Sequence, residues 1–219
     1  MHREHAMRFH RYVMPLTLVL VAAGCTDQTG PSPAAVPAPL AAVVPMPPPG
    51  THILQQSPAA PQLQTYQVSF WARRGTQTTI FLNYRRRPGQ WLPDPFLRFK
   101  IPINGLVAGA GGVPLDRGDS VRITLTVDTV SFNVDFQPSG VRFSSSSPAQ
   151  LAIYYENASP DLNGDGVVDA ADQALKDQLA IWYRGSKSSP WKQVWSRNDT
   201  SQEVVTAALY HFSQYAVAW

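Results

Sequence analysis

One eight-residue segment, Ser120–Val127, alternates between apolar and polar residues along its whole length. Its odd-numbered positions are Val, Ile, Leu and Val, and its even-numbered positions are Ser, Arg, Thr and Thr. Since successive side chains of a strand point to opposite faces of a sheet, this period predicts a strand with one buried and one solvated face. Phe132, Val134 and Phe136 keep the same period and predict a second strand.

Short apolar segments divided by Gly, Pro, Asn and Asp continue to the end of the sequence. About ten strands of this kind in a domain of this length are typical of one antiparallel β-sandwich. We therefore predict an all-β fold over residues 64–219. The remaining strand candidates are Tyr66–Ala72, Thr79–Tyr84, Phe96–Ile103, Gln150–Tyr155, Leu179–Tyr183, Lys192–Trp195, Glu203–Tyr210 and Ser213–Trp219.

The N-terminal pattern is different. Three arginines precede an apolar stretch over residues 13–23, and the only cysteine, Cys25, follows it. This order of charged, apolar and small residues is typical of an export signal, and the apolar run is shorter than the roughly 20 residues that a spanning helix needs. Residues 20–25, Leu-Val-Ala-Ala-Gly-Cys, resemble the lipobox of bacterial lipoproteins. The alternative is an ordinary cleaved signal with a cysteine beside it by chance.

The lipobox resemblance implies that residues 1–24 are removed and that Cys25 is acylated. Two or three acyl chains would anchor the protein stably to the outer membrane or the cell surface of a bacterium without spanning it. The following residues, 25–63, contain ten of the twenty prolines. Such a composition cannot bury a core, so we predict a disordered or extended tether between the anchor and the folded domain.

Residues 161–172 carry oxygen-bearing side chains at regular intervals. Calcium takes six to eight oxygen ligands, and a twelve-residue loop supplies them from positions one, three, five, seven, nine and twelve, with glycine at position six for the turn. Gly166 occupies position six. The predicted ligands of one Ca²⁺ ion are Asp161, Asn163, Asp165, the main-chain carbonyl of Val167, Asp169 and Asp172.

Four carboxylates within this loop would repel one another, and a divalent cation is the simplest way to offset the repulsion. The alternative is a solvated acidic turn built on the dipeptides Asn163-Gly164 and Asp165-Gly166. We also expect Val168 to point inward as the apolar residue of the loop.

A strand candidate precedes this loop, and residues Ala170–Leu179 after it have helical spacing. With Asp at position twelve, the loop resembles a dockerin repeat, an extracellular EF-hand-like calcium loop followed by one short helix. Dockerins that bind cohesins carry two repeats, and this sequence contains one. We therefore expect a structural ion that rigidifies an insert over residues 161–180.

Two stretches on either side of the loop resemble a second family. Residues 138–155 contain Phe-x-x-x-x-Pro-Ala-x-Leu-x-Ile-x-Tyr, with related residues at 180–191, and residues 211–217 read His-Phe-Ser-Gln-Tyr-Ala-Val. Together they resemble the second half of the ZU-type β-sandwich of ankyrins, zonula-occludens proteins, netrin receptors and many exported bacterial proteins. The resemblance implies an interaction scaffold without catalysis.

The amino-acid composition excludes several kinds of functional site. One cysteine excludes an intramolecular disulfide and a cysteine zinc site, and only His52 and His211 of the five histidines lie beyond residue 10. A histidine triad is therefore not expected, and His211, among apolar neighbours, is predicted to be structural. The formal net charge is +3, and no basic stripe runs along the sequence, which argues against nucleic-acid binding.

We predict a non-catalytic interaction scaffold with an unidentified protein partner. A glycan-binding module is the alternative, since six tryptophans, among them Trp71, Trp91 and Trp195, can stack on sugar rings. An enzyme would need two facing carboxylates outside the calcium loop. The candidates for such a pair are Asp94, Asp116, Asp119, Asp128 and Asp135.

Overall fold

The computed structural model describes residues 50–219. This part of the chain forms thirteen strands, one α-helix and a 3-10 turn over Ala110–Gly112. The strands are β1 (Gln67–Arg73), β2 (Thr78–Asn83), β3 (Pro95–Ile101), β4 (Leu106–Ala108), β5 (Ser120–Val127), β6 (Asn133–Gln137), β7 (Arg142–Phe143), β8 (Ala149–Tyr154), β9 (Ala180–Arg184), β10 (Lys192–Gln193), β11 (Ser196–Asp199), β12 (Val204–Leu209) and β13 (Gln214–Ala218), and the helix is α1 (Ala170–Lys176).

The strands form two large antiparallel sheets and one small sheet. The six-stranded sheet has the order β1-β5-β6-β13-β9-β10, and the five-stranded sheet has the order β11-β12-β8-β3-β2. Strands β4 and β7 pair separately. Buried residues of both large sheets belong to one apolar cluster. The predicted all-β antiparallel sandwich with one short helix is confirmed.

Aromatic rings join the two sheets at the centre of this core. The ring centroid of Phe99 on β3 lies 4.9 Å from that of Phe136 on β6, and Phe136 stacks on Phe212 at 5.0 Å. The ring of Phe143 on β7 meets Phe212 edge-on at 5.2 Å. Each such pair contributes about 0.5–1.5 kcal/mol beyond the burial of its area.

Strands with a clear period form close to where the sequence predicts them. Strand β5 has the predicted bounds, and its apolar side chains are buried while its polar side chains are not. Strands β4, β7 and β11 were not predicted. They are two to four residues long and have no run of alternating apolar residues, so their pairing depends on strands elsewhere in the chain.

The folded domain begins earlier than the predicted boundary at residue 64. Leu54 and Leu63 are each only 1% exposed. The main-chain N–H of His52 donates to the carbonyl of Trp219 (3.1 Å), and that of Leu54 donates to the carbonyl of Val217 (2.9 Å). The proline-rich composition concealed two leucines that enter the core, so residues 52–63 are part of the domain and not of a tether.

The predicted signal (residues 1–24), the lipidation site Cys25 and residues 25–49 of the predicted tether lie outside the described residues. Within residues 50–219, no helix is both long enough and apolar enough to cross a membrane.

Candidate metal site in the acidic loop

The acidic loop lies in the connection between β8 and β9, two strands of opposite sheets. At its start, Leu162 is partly buried and packs against the core. At its end, Asp172 in the first turn of α1 is only 3% exposed. The residues between, 164–170, are exposed. The loop is therefore attached to the sandwich at both ends and open to solvent in the middle.

Asp161 closes the first half of the loop. One carboxylate oxygen accepts a hydrogen bond from the N–H of Gly164 (2.7 Å), and the other accepts from the N–H of Gly166 (2.9 Å). Both glycines have positive φ, +76° and +85°, a conformation that costs any other L-residue free energy. The glycines thus let the main chain turn around the Asp161 carboxylate.

Asn163 and Asp165 form two successive Asx turns. The Asn163 side-chain oxygen accepts from the N–H of Asp165 (2.9 Å), and one Asp165 carboxylate oxygen accepts from the N–H of Val167 (2.8 Å). The Asn163 amide nitrogen also donates to the second Asp165 oxygen at 2.9 Å. Short polar side chains bind their own main chain readily in this way. The local sequence accounts for the shape of this segment.

Asp169 and Asp172 join the loop to α1. Asp169 is the N-cap, whose carboxylate accepts from the N–H of Ala171 (2.7 Å), and the Asp172 carboxylate accepts in return from the N–H of Asp169 (2.9 Å). The other Asp172 oxygen accepts from the N–H groups of Leu162 (2.7 Å) and Asn163 (3.2 Å). One buried carboxylate therefore binds both the start of the loop and the start of the helix.

Burial by itself would raise the pKa of Asp172, but the hydrogen bonds from the N–H groups of Asp169, Asn163 and Leu162 favour the charged form more strongly. The net pKa lies below its ordinary value. Asp172 is therefore ionised at neutral pH.

Helix α1 is shorter than the predicted Ala170–Leu179, since it ends at Lys176. The Lys176 ammonium forms an ion pair with Glu203 (2.5 Å), next to β12, and the Lys176 carbonyl accepts from the side-chain amide of Asn198 (2.8 Å). These contacts fix the end of the helix against the five-stranded sheet.

The donor set of the loop fits a hard cation, since all six predicted donors are oxygen atoms. Among residues 50–219, however, no three His, Cys, Asp or Glu side chains form a group that could hold a metal ion. Two of the predicted donors, Asn163 and the Val167 carbonyl, are not of those types. The prediction that Val168 points inward is wrong: Val168 is 61% exposed, and Leu162 makes the apolar contact with the core.

Among the described residues, the surroundings of His211 do not resemble those of a catalytic-triad histidine. Its Nδ1 lies 3.1 Å from the Ser213 hydroxyl and 3.3 Å from the Phe212 carbonyl, and its ring packs edge-on against Tyr183. Within the described chain, no carboxylate hydrogen-bonds to it. A triad would need that third group to orient the imidazole.

Asp128 and Asp135 both line a cleft of about 510 Å³ at one end of the six-stranded sheet. A glycosidase-like pair would need one carboxyl with a raised pKa. Burial acts to raise the pKa of Asp128, but hydrogen bonds from the N–H groups of Val130 and Ser131 and from the Ser131 hydroxyl lower it below its ordinary value. Asp128 therefore has the opposite property from a general acid and stabilises a turn.

Two of the other carboxylate candidates, Asp94 and Asp119, are also engaged in local structure. Asp94 pairs with Arg87 (3.4 Å) and accepts from the Gln90 amide (3.0 Å), and Asp119 accepts from the N–H of Asp116 (2.7 Å). These contacts give the Asp94 and Asp119 carboxylates a role in local structure.

The three exposed tryptophans do not form one cluster. Trp71 is on β1 of the six-stranded sheet, Trp91 is in the connection between β2 and β3, and Trp195 lies at the start of β11, with exposed fractions of 67%, 90% and 85%. Trp195 lines a groove on a sheet face, a feature that sequence reasoning missed because the other lining residues come from three distant strands.

No protein-family model, curated protein or solved structure matches this chain. The resemblances to a dockerin repeat and to a ZU-type sandwich stay predictions.

Proposed function

We propose that the acidic loop binds one Ca²⁺ ion and that this ion fixes the connection between β8 and β9 in a membrane-anchored, non-catalytic binding domain. The main observation behind the proposal is that main-chain N–H groups of the loop fix the positions of its side-chain oxygens. The side chains of Asp161, Asn163 and Asp165 each accept from main-chain N–H groups two to five residues further along. The side chains of these three predicted ligands therefore lie against the main chain of the loop itself.

The chemistry of these groups favours a cation. A carboxylate has about four lone-pair sites, and the N–H groups of the loop use one or two of them, so acceptor capacity remains. The four carboxylates of Asp161, Asp165, Asp169 and Asp172 also repel one another. One divalent ion would offset half of that negative charge and use ligands of the type that Ca²⁺ prefers.

The ion would connect two fixed points of the sandwich. Leu162 packs on the core, and Lys176 at the far end of α1 pairs with Glu203. The side-chain hydrogen bonds of the exposed residues 164–170 join them to other residues of the loop or to the cap of α1. Calcium would add stability at this weakly supported segment, which supports a structural role for the ion.

The wider proposal combines this domain with the N-terminal sequence. An export signal over residues 1–24 and lipidation at Cys25 would hold the domain at the outer membrane or the surface of a bacterium. A binding role is supported over a catalytic one because three of the candidate carboxylates, Asp94, Asp119 and Asp128, pair with a cation or stabilise a turn. The first candidate is a scaffold for protein contacts, and the second is glycan binding, which the groove beside Trp195 favours.

Calcium titration of the full chain tests the ion site. We expect one ion per chain by calorimetry. At a free calcium concentration 100 times the dissociation constant, binding contributes about 2.7 kcal/mol to the free energy of unfolding. For a domain of this size, that corresponds to a rise in Tm of about 5–10 °C.

The variant Asp161→Asn plus Asp165→Asn keeps one acceptor oxygen at each position and removes two charges, so it should lose the calcium-dependent rise in Tm. Asp128→Asn is the matched control, since Asp128 also accepts N–H bonds in a turn but has no neighbouring carboxylates of this density. It should lower Tm equally with calcium and with chelator. Equal Tm values of the unmodified chain in calcium and in chelator would refute the proposal.

A further inference from the structure

The outer face of the five-stranded sheet carries cations that the sequence keeps far apart. The strand register places Arg98 of β3 opposite Ala152 of β8, Ala152 opposite Thr206 of β12, and Thr206 opposite Arg197 of β11. Two residues further along β3, Lys100 lies opposite Gln150 of β8. Two arginines and a lysine from strands about 100 residues apart in sequence therefore share one face.

A groove crosses this face. Its volume is about 330 Å³, and its floor is formed by small side chains, among them Ala152, which is 3% exposed. Because adjacent strands lie about 4.8 Å apart, the distance from β3 to β11 is about 14 Å. The side chains that define it are Arg98, Gln150, Ala152, Trp195, Thr206 and Ala208.

An exposed aromatic ring stands beside each edge of this face. Trp195 precedes the edge strand β11 and is 85% exposed, and Phe81 on the opposite edge strand β2 is 59% exposed, directly across from Arg98. Tryptophan combines a broad apolar face, which can stack on a flat ligand, with a polar N–H that can donate a hydrogen bond.

The cations of this face have spare bonding capacity. Within the described chain, neither Arg98 nor Lys100 makes an ion pair or a side-chain hydrogen bond. Asp199, at the far end of β11, keeps its negative charge near Arg197 while its carboxylate accepts from the Ser201 hydroxyl (2.7 Å) and the Gln202 N–H (3.1 Å), so it offsets part of the Arg197 charge. Arg98 is the cation that lines the groove, and its charge has no acidic partner among the described residues.

We propose that this groove binds an anionic polysaccharide whose sugars carry carboxylates. The Trp195 ring would stack on the apolar face of a sugar, and the Arg98 guanidinium would bind a carboxylate through two parallel N–H donors. Gln150 and Thr206 offer amide and hydroxyl groups to the sugar hydroxyls between them. Small side chains on the floor leave room for a ring to lie flat on the sheet.

The geometry favours a glycan over a single-stranded nucleic acid. Nucleic-acid grooves stack successive bases on successive aromatic side chains. Here the two aromatic residues stand about 19 Å apart, across five strands. The inference rests on the proposed role of the sandwich as a binding domain, but it does not require the calcium site.

Binding of a galacturonate hexamer to the full chain, measured by calorimetry in chelator and low salt, tests the proposal. We expect Trp195→Ala and Arg98→Gln each to weaken binding at least tenfold. Trp91→Ala and Arg122→Gln are the matched controls, since both side chains are exposed and neither lines the groove, and they should leave binding unchanged. A neutral galactose hexamer should bind at least tenfold more weakly than the galacturonate.

Equal binding of the neutral hexamer would overturn the charge assignment, and equal losses in the control variants would overturn the location. Tighter binding of a deoxythymidine dodecamer would assign the groove to nucleic acid instead. A dimer in sedimentation that Trp195→Ala dissolves would make the occupant a second copy of this chain. Since calcium is absent throughout, failure to bind the hexamer would overturn this proposal and leave the calcium site standing.

Discussion

Two long connections of the sandwich are fixed in opposite ways. The glycine-rich connection between β3 and β5 is held by distant residues: β4 pairs with β7, the Gly111 N–H donates to the Ser139 carbonyl (3.0 Å), and the Arg74 guanidinium donates to the Leu115 carbonyl. The acidic connection between β8 and β9 is held mainly by its own carboxylates.

The difference shows what local sequence can encode. Asp161, Asn163 and Asp165 lie within a few residues of the N–H groups that they bind, so their spacing in the sequence is enough to predict the turns. Gly111 instead donates to the carbonyl of Ser139, which is far away in sequence. Nothing in the sequence around either residue indicates this pairing. We therefore expect calcium to change the stability of the acidic connection and substitutions at close main-chain contacts to change that of the glycine-rich connection.

We expect the largest loss of stability from a substitution that disrupts the glycine-rich connection. Gly140 has φ of +85°, and a Cβ placed on it would lie 2.7 Å from main-chain atoms of Gly111 and Gly112. Gly140→Ala must therefore move the main chain as well as adopt a strained φ, and we expect a loss of about 3 kcal/mol in the free energy of unfolding. Urea denaturation measures it.

Gly164→Ala in the acidic connection is the matched control. Its φ is +76°, but an added Cβ would meet nothing within 4 Å. Only the cost of the left-handed conformation remains, about 1 kcal/mol. Similar losses in both variants would mean that close approach does not distinguish the two connections.

A smaller effect should come from the one buried carboxylate of the acidic connection. Asp172→Asn replaces a charged acceptor of three N–H bonds by an amide with one acceptor oxygen. Because hydrogen bonds to charged groups contribute about 1.5–3 kcal/mol, we expect a loss of about 2 kcal/mol in chelator by urea denaturation. Asp161→Asn should cost less, since Asp161 is only partly buried and accepts two N–H bonds. The reverse order would contradict the assignment of Asp172 as the residue that joins the loop to α1.

The smallest effect concerns pH. The pKa of Asp128 is lowered in the folded protein because N–H and hydroxyl donors outweigh its partial burial. Its contribution to stability is therefore fully present above the ordinary carboxyl pKa of about 4 and is lost as pH falls through the lower folded value. Thermal unfolding between pH 5 and 2 should show a shallower decline for Asp128→Asn than for the unmodified chain, and calcium should not change this difference. Parallel declines would show that the Asp128 turn does not contribute to acid sensitivity.

Features that depend on neighbouring residues along the chain were predictable from the amino-acid sequence. The period of Ser120–Val127 specifies which face of β5 is buried, and the spacing of Asp161, Asn163 and Asp165 specifies the turns of the acidic loop, because both depend on main-chain geometry over a few residues.

Contacts between distant segments became known only from the folded structure. It brought Leu54 and Leu63 out of a proline-rich segment into the core, paired β4 with β7, and placed Arg98 and Arg197 on one face of a sheet. Strand order and sheet packing bring these residues together from separate parts of the chain, and no local period records the identity of a distant partner.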